Sequence, residues 1–354
     1  MSTIAFAIPG DIDLPTGGYA YDRRLLAEWR AMDVPAEHVP LPGSFPFPTE
    51  ADFHETGRAL LQRPYDDTLL IDGLAYGAFP EGIAAGLADR VVALVHHPLA
   101  LETGLAPEMA QRLHERETAA LRYVRAVVTT SPATKRLLIS DFGVPEARIA
   151  VALPGVDPAP RATGSAEGRP LHLLAVGSVV PRKGYRVLVE ALAGLRDRDW
   201  RLTIVGATDR SPETMRDLVA AIDSADLGGR IELAGAIPDA ALAEAYARTD
   251  LFVMPSLFEG YGMVLTEALA RGLPIICTTG GAAAETAPDA AALKVAPGDA
   301  AALAKALASL IDAPALRRSM ADAAWAAAAA LPRWRETATI VAGICLPGFG
   351  RKGG

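Results

Sequence analysis

In the stretch PSLFEGYGMVLTEALARGLP, residues 255–274, Glu259 and Glu267 stand eight positions apart around Gly260 and Gly262. A carboxylate accepts two sugar hydroxyls well, and bare glycine backbone lets main-chain N–H groups come close to a ligand. Reading DLFVMP (250–255) as a strand and a helix from about Gly262 through Met263, Val264 and Leu265 puts Glu259 in the turn and Glu267 in the second helical turn. The unpaired N–H groups of such a helix start suit a phosphate. An acid on each side of a phosphate site could hold two sugars, one at either end of a diphosphate, and a nucleotide-sugar is such a molecule. Taken alone, the same residues read equally well as a helix start with one acid near its positive end and a second facing solvent.

Three further groups share the pattern of lying just after a strand. GSVVPRKGY (177–185) carries Arg182 and Lys183 beside Gly184, two adjacent cations that repel unless an anion sits between them. A solvated basic turn is the alternative for that pair. GDIDLPTGGYAYDRRLL (10–26) places Gly17 and Gly18 between the first strand and first helix, where they form either an ordinary turn or a backbone cradle for the diphosphate. VVALVHHPLA (91–100) ends a strand with His96 and His97, and a neutral imidazole there can bond a sugar hydroxyl. Ser131 and Thr134 in TTSPATKRLL read more readily as a helix cap, with Ser131 kept as a possible sugar or acceptor contact alongside His97 and Asp72. The TTGGAAAET turn at 278–286 reads as structural.

The elements that must position these residues are those of an α/β protein. The chain has 354 residues, enough for two domains at ~150 residues each. Its 51% hydrophobic and 21% charged content is that of a globular chain, and a net charge of −8 excludes a dominant basic surface for nucleic acid. The two cysteines, Cys277 and Cys345, are too few for a disulfide framework or thiolate metal site, and a reducing, cytoplasmic setting is expected. MSTIAFAIPGDID reads as a first strand rather than a signal peptide. No stretch reaches the ~18 apolar residues of a membrane span, which leaves peripheral membrane contact open.

Strands are predicted at about 3–9, 68–72, 91–96, 126–130 and 148–152, then at 171–177, 201–206, 230–235, 250–255, 273–279 and 291–297, with helices between. The domains divide as 1–158, a Pro- and Gly-rich linker 159–170, 171–331, a C-terminal helix 332–347 and a frayed tail GFGRKGG at 348–354. Two doubly wound, Rossmann-like domains would bring the carboxyl ends of both sheets to a shared cleft.

Together these residues resemble the family 4 retaining glycosyltransferases of GT-B fold, over essentially the whole chain. Glu259 and Glu267 match that family's E-x7-E signature, and Lys183 its phosphate-binding lysine. The resemblance implies that Glu267 holds the ribose and Glu259 the transferred sugar. It implies that Lys183, Arg182 and backbone around Gly262 and Met263 meet the diphosphate, that Gly17 and Gly18 close on the donor, and that His96 touches the sugar. Gly260, Tyr261 and Val264 complete the donor turn, and backbone near Gly206 and Ile237 would meet the base. Ser178 stands where many members carry arginine, and Arg182 is the residue that could supply that charge. The final helix would cross back to the first domain.

The function so implied is hexosyl transfer, with retention, from a UDP- or GDP-hexose to a small-molecule, glycan or lipid-linked hydroxyl acceptor. No metal is expected: DID (11–13) and DRD (197–199) have D-x-D spacing but read as surface turns. The rivals are a nucleotide-sugar epimerase or hydrolase on the same fold and a non-catalytic sugar-nucleotide-binding protein. A dinucleotide oxidoreductase ranks low, since no G-x-G-x-x-G follows any strand.

Overall fold

The computed structural model describes residues 2–349 apart from Thr103 and Glu167; residues 350–354 of the predicted tail lie outside them. The chain divides into two compact units, unit 1 formed by Met1–Gly155 with Pro332–Gly354 and unit 2 by Val156–Leu331.

In unit 1 the order is β1 (Ile4–Pro9), α1 (Gly17–Ala31), β2 (Ala36–Leu41), α2 (Glu50–Leu61), β3 (Thr68–Asp72), α3 (Gly73–Tyr76), α4 (Glu81–Gly86), β4 (Val91–Val95), α5 (Pro107–Leu121), β5 (Ala126–Thr129), α6 (Pro132–Ser140) and β6 (Ile149–Val151). All strands are parallel, in the order β2-β1-β3-β4-β5-β6. The inner strands are continuous apolar runs, as expected where helices cover both faces of a sheet. Strand β2 escaped the sequence reading because AEHVPL is half polar and contains Pro40. It is an edge strand, which tolerates both features. Helix starts follow local capping: Thr16 accepts from Tyr19 N at α1, a Thr49–Asp52 capping box opens α2, and Ser131 with Pro132 opens α6.

Unit 2 runs β7 (Leu171–Val176), α7 (Tyr185–Ala193), β8 (Trp200–Val205), α8 (Pro212–Ser224), β9 (Ile231–Gly235), α9 (Asp239–Ala247), β10 (Leu251–Met254), α10 (Met263–Leu269), β11 (Ile275–Thr278), α11 (Ala283–Thr286), β12 (Ala292–Val295), α12 (Ala300–Asp312) and α13 (Pro314–Ala327). Its sheet order, β12-β11-β10-β7-β8-β9, is again wholly parallel. One apolar core fills each face, around Leu188, Trp200 and Leu307 on one side and Tyr246, Phe252 and Leu269 on the other.

The described residues of 159–170 form no helix or strand, but the segment is not a free tether. Ala162 N donates to Arg271 O at 2.9 Å and Thr163 N to Ala247 O at 2.9 Å, while Arg161 pairs with Asp322. Its Pro and Gly content signals missing regular structure, not missing hydrogen bonds. Helix α14 (Trp334–Cys345) belongs to unit 1, where the Trp29 indole donates to Ala338 O at 2.9 Å and Thr68 Oγ1 to Cys345 O at 2.6 Å.

Candidate functional site

Each sheet reverses its winding once, and each reversal collects a cluster of buried charge. In unit 2 the reversal lies between β7 and β10, the point where open α/β sheets bind ligands beyond their carboxyl ends. The loop after β7 carries Arg182 and Lys183, and the loop after β10 carries Glu259. Lys183 Nζ stands 2.7 Å from Glu259 Oε1, and Arg182 contacts Oε2 at 3.1 Å while donating to Phe258 O at 2.8 Å. The anion demanded by two adjacent cations is therefore supplied by the chain itself. Burial pushes the Glu259 carboxyl up, but Lys183 and Arg182 outweigh it and hold it down at about 2.

The turn that presents this acid is fixed at both ends. Glu259 N donates to Gly280 O and Ala282 N to Glu259 O. Gly184, at φ 65°, closes against the Pro255 carbonyl, where a side chain would overlap it. Gly262, at φ 88°, opens α10 in a left-handed conformation that β-carbons disfavour, so the chain can turn from Tyr261 straight into the helix. Tyr261 is buried and its carbonyl accepts from Thr286 Oγ1 at 2.7 Å; Gly260 and Met263 are partly exposed.

Glu267 stands one helical turn further on, partly buried, with Oε2 accepting from the Tyr246 hydroxyl at 2.9 Å. The Arg271 guanidinium lies 4.3 Å over the Tyr246 ring and donates to Glu267 O at 3.0 Å. Burial pushes the Glu267 carboxyl up, against the pull of Tyr246 and Arg271. Ser178 is partly buried in the loop after β7; Gly206 N donates to Gly235 O at 2.9 Å; Ile237 and Val264 pack on the core around Tyr246.

In unit 1 the winding reverses between β1 and β3; the strand ends carry His96 and Asp72, and α1 brings in a residue the sequence reading did not single out, Asp22. His96 Nε2 is 3.3 Å from Asp22 Oδ1 and 3.6 Å from Asp72 Oδ2. The Asp22 side chain is wholly buried, and neither of its oxygens nor His96 Nε2 finds a partner at hydrogen-bond geometry. These are ion-pair contacts. Asp72 also accepts from Leu74 N at 2.6 Å, which opens α3.

Burial lowers the His96 imidazole, but the two facing carboxylates reverse this and raise it to about 10. Asp22 is pushed up to about 7 by burial and by Asp72, whereas His96 and the Leu74 amide hold Asp72 down against its burial. Tyr21 meets the His96 ring edge-on at 5.3 Å, and a β-carbon on Gly18 would lie 3.3 Å from it. The signal for Asp22 was in the sequence: it falls on the stripe of Gly18, Leu25 and Trp29, so an acid occupies the buried face of a helix. Asp22, Asp72 and His96 form the one grouping among the described residues with ligand atoms mutually close enough for a metal, but the imidazole itself fills the place between the carboxylates.

Gly17 and Gly18 form the first turn of α1 rather than the loop before it. His97 turns to Glu102, at 3.2 Å. Ser131 is a buried N-cap that accepts from Thr134 N at 3.0 Å. Of the D-x-D pairs, Asp11 accepts from Asp13 N, and Asp197 pairs with Arg198 ahead of β8, at the amino end of its sheet.

Two family models match the chain back to back, one described as Glycosyltransferase Family 4 over residues 22–160 and one as Glycosyl transferases group 1 over residues 159–326. A D-inositol 3-phosphate glycosyltransferase of Pseudarthrobacter chlorophenolicus is 34% identical over 68% of this chain and 60% of its own length. An MMP alpha-(1->4)-mannosyltransferase of Mycolicibacterium hassiacum is 29% identical over 72% and 64%. The chain thus spans less than two thirds of these relatives. Among solved structures, sucrose-phosphate synthase from Thermosynechococcus elongatus superposes with TM-score 0.79 at 22% identity, over 96% of this chain and 97% of that one. HepE of Anabaena, in complex with UDP and glucose, gives 0.75 at 18% identity, over 97% and 98%. These likenesses establish the two-sheet GT-B architecture. Among the described residues no helix is long and apolar enough to cross a membrane.

Proposed function

The chain belongs to the family 4 glycosyltransferases, and from that premise we propose that it moves a hexose, with retention, from a UDP- or GDP-hexose to a hydroxyl acceptor without an essential divalent ion. The observation that carries this reading is the Glu259 carboxylate held between Lys183 and Arg182 at the winding reversal of the second sheet. A diphosphate arriving there competes for the two cations, and Glu259, released from them, becomes an acceptor for the sugar's hydroxyls. Glu267, oriented by Tyr246, takes the ribose. His96 is assigned to the transferred sugar.

Bond cleavage passes through an oxocarbenium-like state in which charge gathers on the leaving diphosphate, so the chain's main contribution is electrostatic. Lys183 and Arg182 meet that charge, and losing one such donor costs about 3 kcal/mol of barrier, roughly a hundredfold in rate. The two cations do the work a divalent ion would otherwise do, which is the reason for assigning none. Arg182 takes the electrostatic part that Ser178 leaves vacant in the same loop. HepE, a neighbour in fold, was solved with UDP and glucose, in support of a nucleotide-sugar donor. The acceptor is a small molecule, glycan or lipid-linked alcohol.

The test is calorimetry with UDP, GDP, ADP and their hexose conjugates, in EDTA, on the wild type and on Lys183→Ala and Glu267→Ala. One nucleotide-sugar should bind to the wild type, and both variants should weaken it at least tenfold. Equal binding to all three proteins, or none, would sink the donor-site assignment. Turnover of the donor alone would favour a hydrolase or epimerase instead.

A further inference from the structure

Three titratable side chains in unit 1 are packed against one another, the two acids buried and the imidazole partly exposed. Asp22 comes from the buried face of α1, Asp72 from the end of β3 and His96 from the segment after β4. Both carboxylates approach the same ring nitrogen, Nε2. Among the described residues, Tyr21 meets the ring edge-on with its hydroxyl donating to Ala152 O, Thr130 Oγ1 donates to the His96 carbonyl, and His97 is turned to Glu102.

We propose that Asp22 and Asp72 fix His96 as an imidazolium, so that the ring serves the reaction as a cation and hydrogen-bond donor from Nδ1 and never as a base. Nε2 keeps its proton in either form, because two carboxylates stand in front of it and a bare lone pair there would face two negative charges. The proton that titrates is therefore the one on Nδ1. While it stays, the ring offers an N–H to an oxygen lone pair, either a sugar hydroxyl or an anionic phosphate oxygen, and offers no lone pair of its own. Asp22 and Asp72 are positioning residues in this scheme, and they act through the ring alone. With one imidazolium against two acids, the cluster still lacks one positive charge. A proton on Asp22 near neutral pH supplies it, in keeping with the raised carboxyl of that residue. The proposal rests on the glycosyltransfer reading only for what the imidazolium acts upon.

The charge state can be read directly by heteronuclear NMR on histidine-labelled protein between pH 5.5 and 9.5, with the His96 signals assigned by their loss in His96→Gln. In the wild type they should keep the imidazolium pattern past pH 8.5. Asp22→Asn should move the transition down by at least one pH unit while the protein still melts cooperatively, and Asp72→Asn should do the same if Asp22→Asn fails to fold. At pH 8 Asp22→Asn should lower the transfer rate about tenfold, and its alkaline limb of activity should shift with the NMR transition.

A neutral His96 at pH 7.5 in the wild type, or a transition that neither substitution moves, would overturn the proposal. So would a saturable shift of the His96 signals on adding ZnCl2 or MnCl2 alone, since the cluster would then be a metal site. A high transition that Asp22→Asn lowers, in a protein that binds no nucleotide-sugar, upholds the charge assignment and removes the glycosyltransfer reading instead.

Discussion

The two charge clusters are opposites built at equivalent places in two sheets. In unit 1 a single base, His96, sits against two buried acids; in unit 2 a single acid, Glu259, sits against two bases. Their remedies for the surplus charge differ. A surplus carboxylate can take up a proton near neutral pH, and Asp22 is already raised to about 7. The guanidinium of Arg182 cannot shed its proton at any pH the fold survives. The acid-rich cluster can therefore lose its central group and relieve its surplus charge by protonation, whereas the cation-rich cluster keeps at least the guanidinium charge.

That difference predicts the largest effect. Glu259→Ala removes the carboxylate that both Arg182 and Lys183 contact, and should cost about 3 kcal/mol of unfolding free energy as well as nearly all transfer activity. His96→Ala should cost only about 1 kcal/mol, because Asp22 and Asp72 can then share a proton. Denaturant unfolding of the two variants side by side measures it, and equal losses would remove the distinction.

Next in size comes pH. The Glu259 carboxyl is held at about 2 against an ordinary 4.5, so its stabilisation is complete above pH 4.5 and is lost as pH falls towards 2, a term on the order of 3 kcal/mol. His96 goes the other way. Raised to about 10 from 6.5, it contributes stability that is full below pH 6.5 and lost as pH rises through 10. Glu117, a buried acid of α5 that accepts from Leu99 N and is pushed by burial up to about 8, adds to the alkaline loss because the folded state binds the extra proton between pH 4.5 and 8. Melting curves across pH should show Glu259→Gln flattening the acid limb and His96→Gln the alkaline one. Swapped assignments would contradict both.

The smallest effect tests the edge of the unit 2 site. Tyr246→Phe removes the hydroxyl that donates to the Glu267 carboxylate and should weaken nucleotide binding about fivefold, or about 1 kcal/mol, with little change in the rate at saturation. A fall in the saturated rate instead would give Tyr246 a part in the chemistry.

How much of this was legible in the sequence depended on the kind of signal. Apolar runs of β-branched residues identified the inner strands, and strand–loop–helix spacing put Lys183, Arg182 and Glu259 at strand ends of one proposed sheet. The half-polar edge strand β2 was invisible because pairing with β1, not its own composition, makes it a strand. Spacing also could not show that the cations of 182–183 and the acid at 259 pair directly, which depends on β7 and β10 being neighbours. Asp22 was legible only as an anomaly on an apolar stripe, and its meaning needed the ends of β3 and the segment after β4 brought next to it. Tyr246, a long way from Glu267 along the chain, left no mark.

Helix α14 gives the chain an order of assembly. Unit 1 is written in two pieces with unit 2 between them, and α14 is translated only after unit 2. Until then the Trp29 indole lacks the Ala338 carbonyl, Arg125 lacks the carbonyls of Ile344 and Cys345, and Trp334 is absent from beside Tyr21, the ring that backs His96. Unit 2 is contiguous and can close as soon as Leu331 is free. The unit whose translation begins first is therefore completed after the other, and a nascent chain interrupted before Trp334 has a complete second sheet while the first still waits for its closing helix.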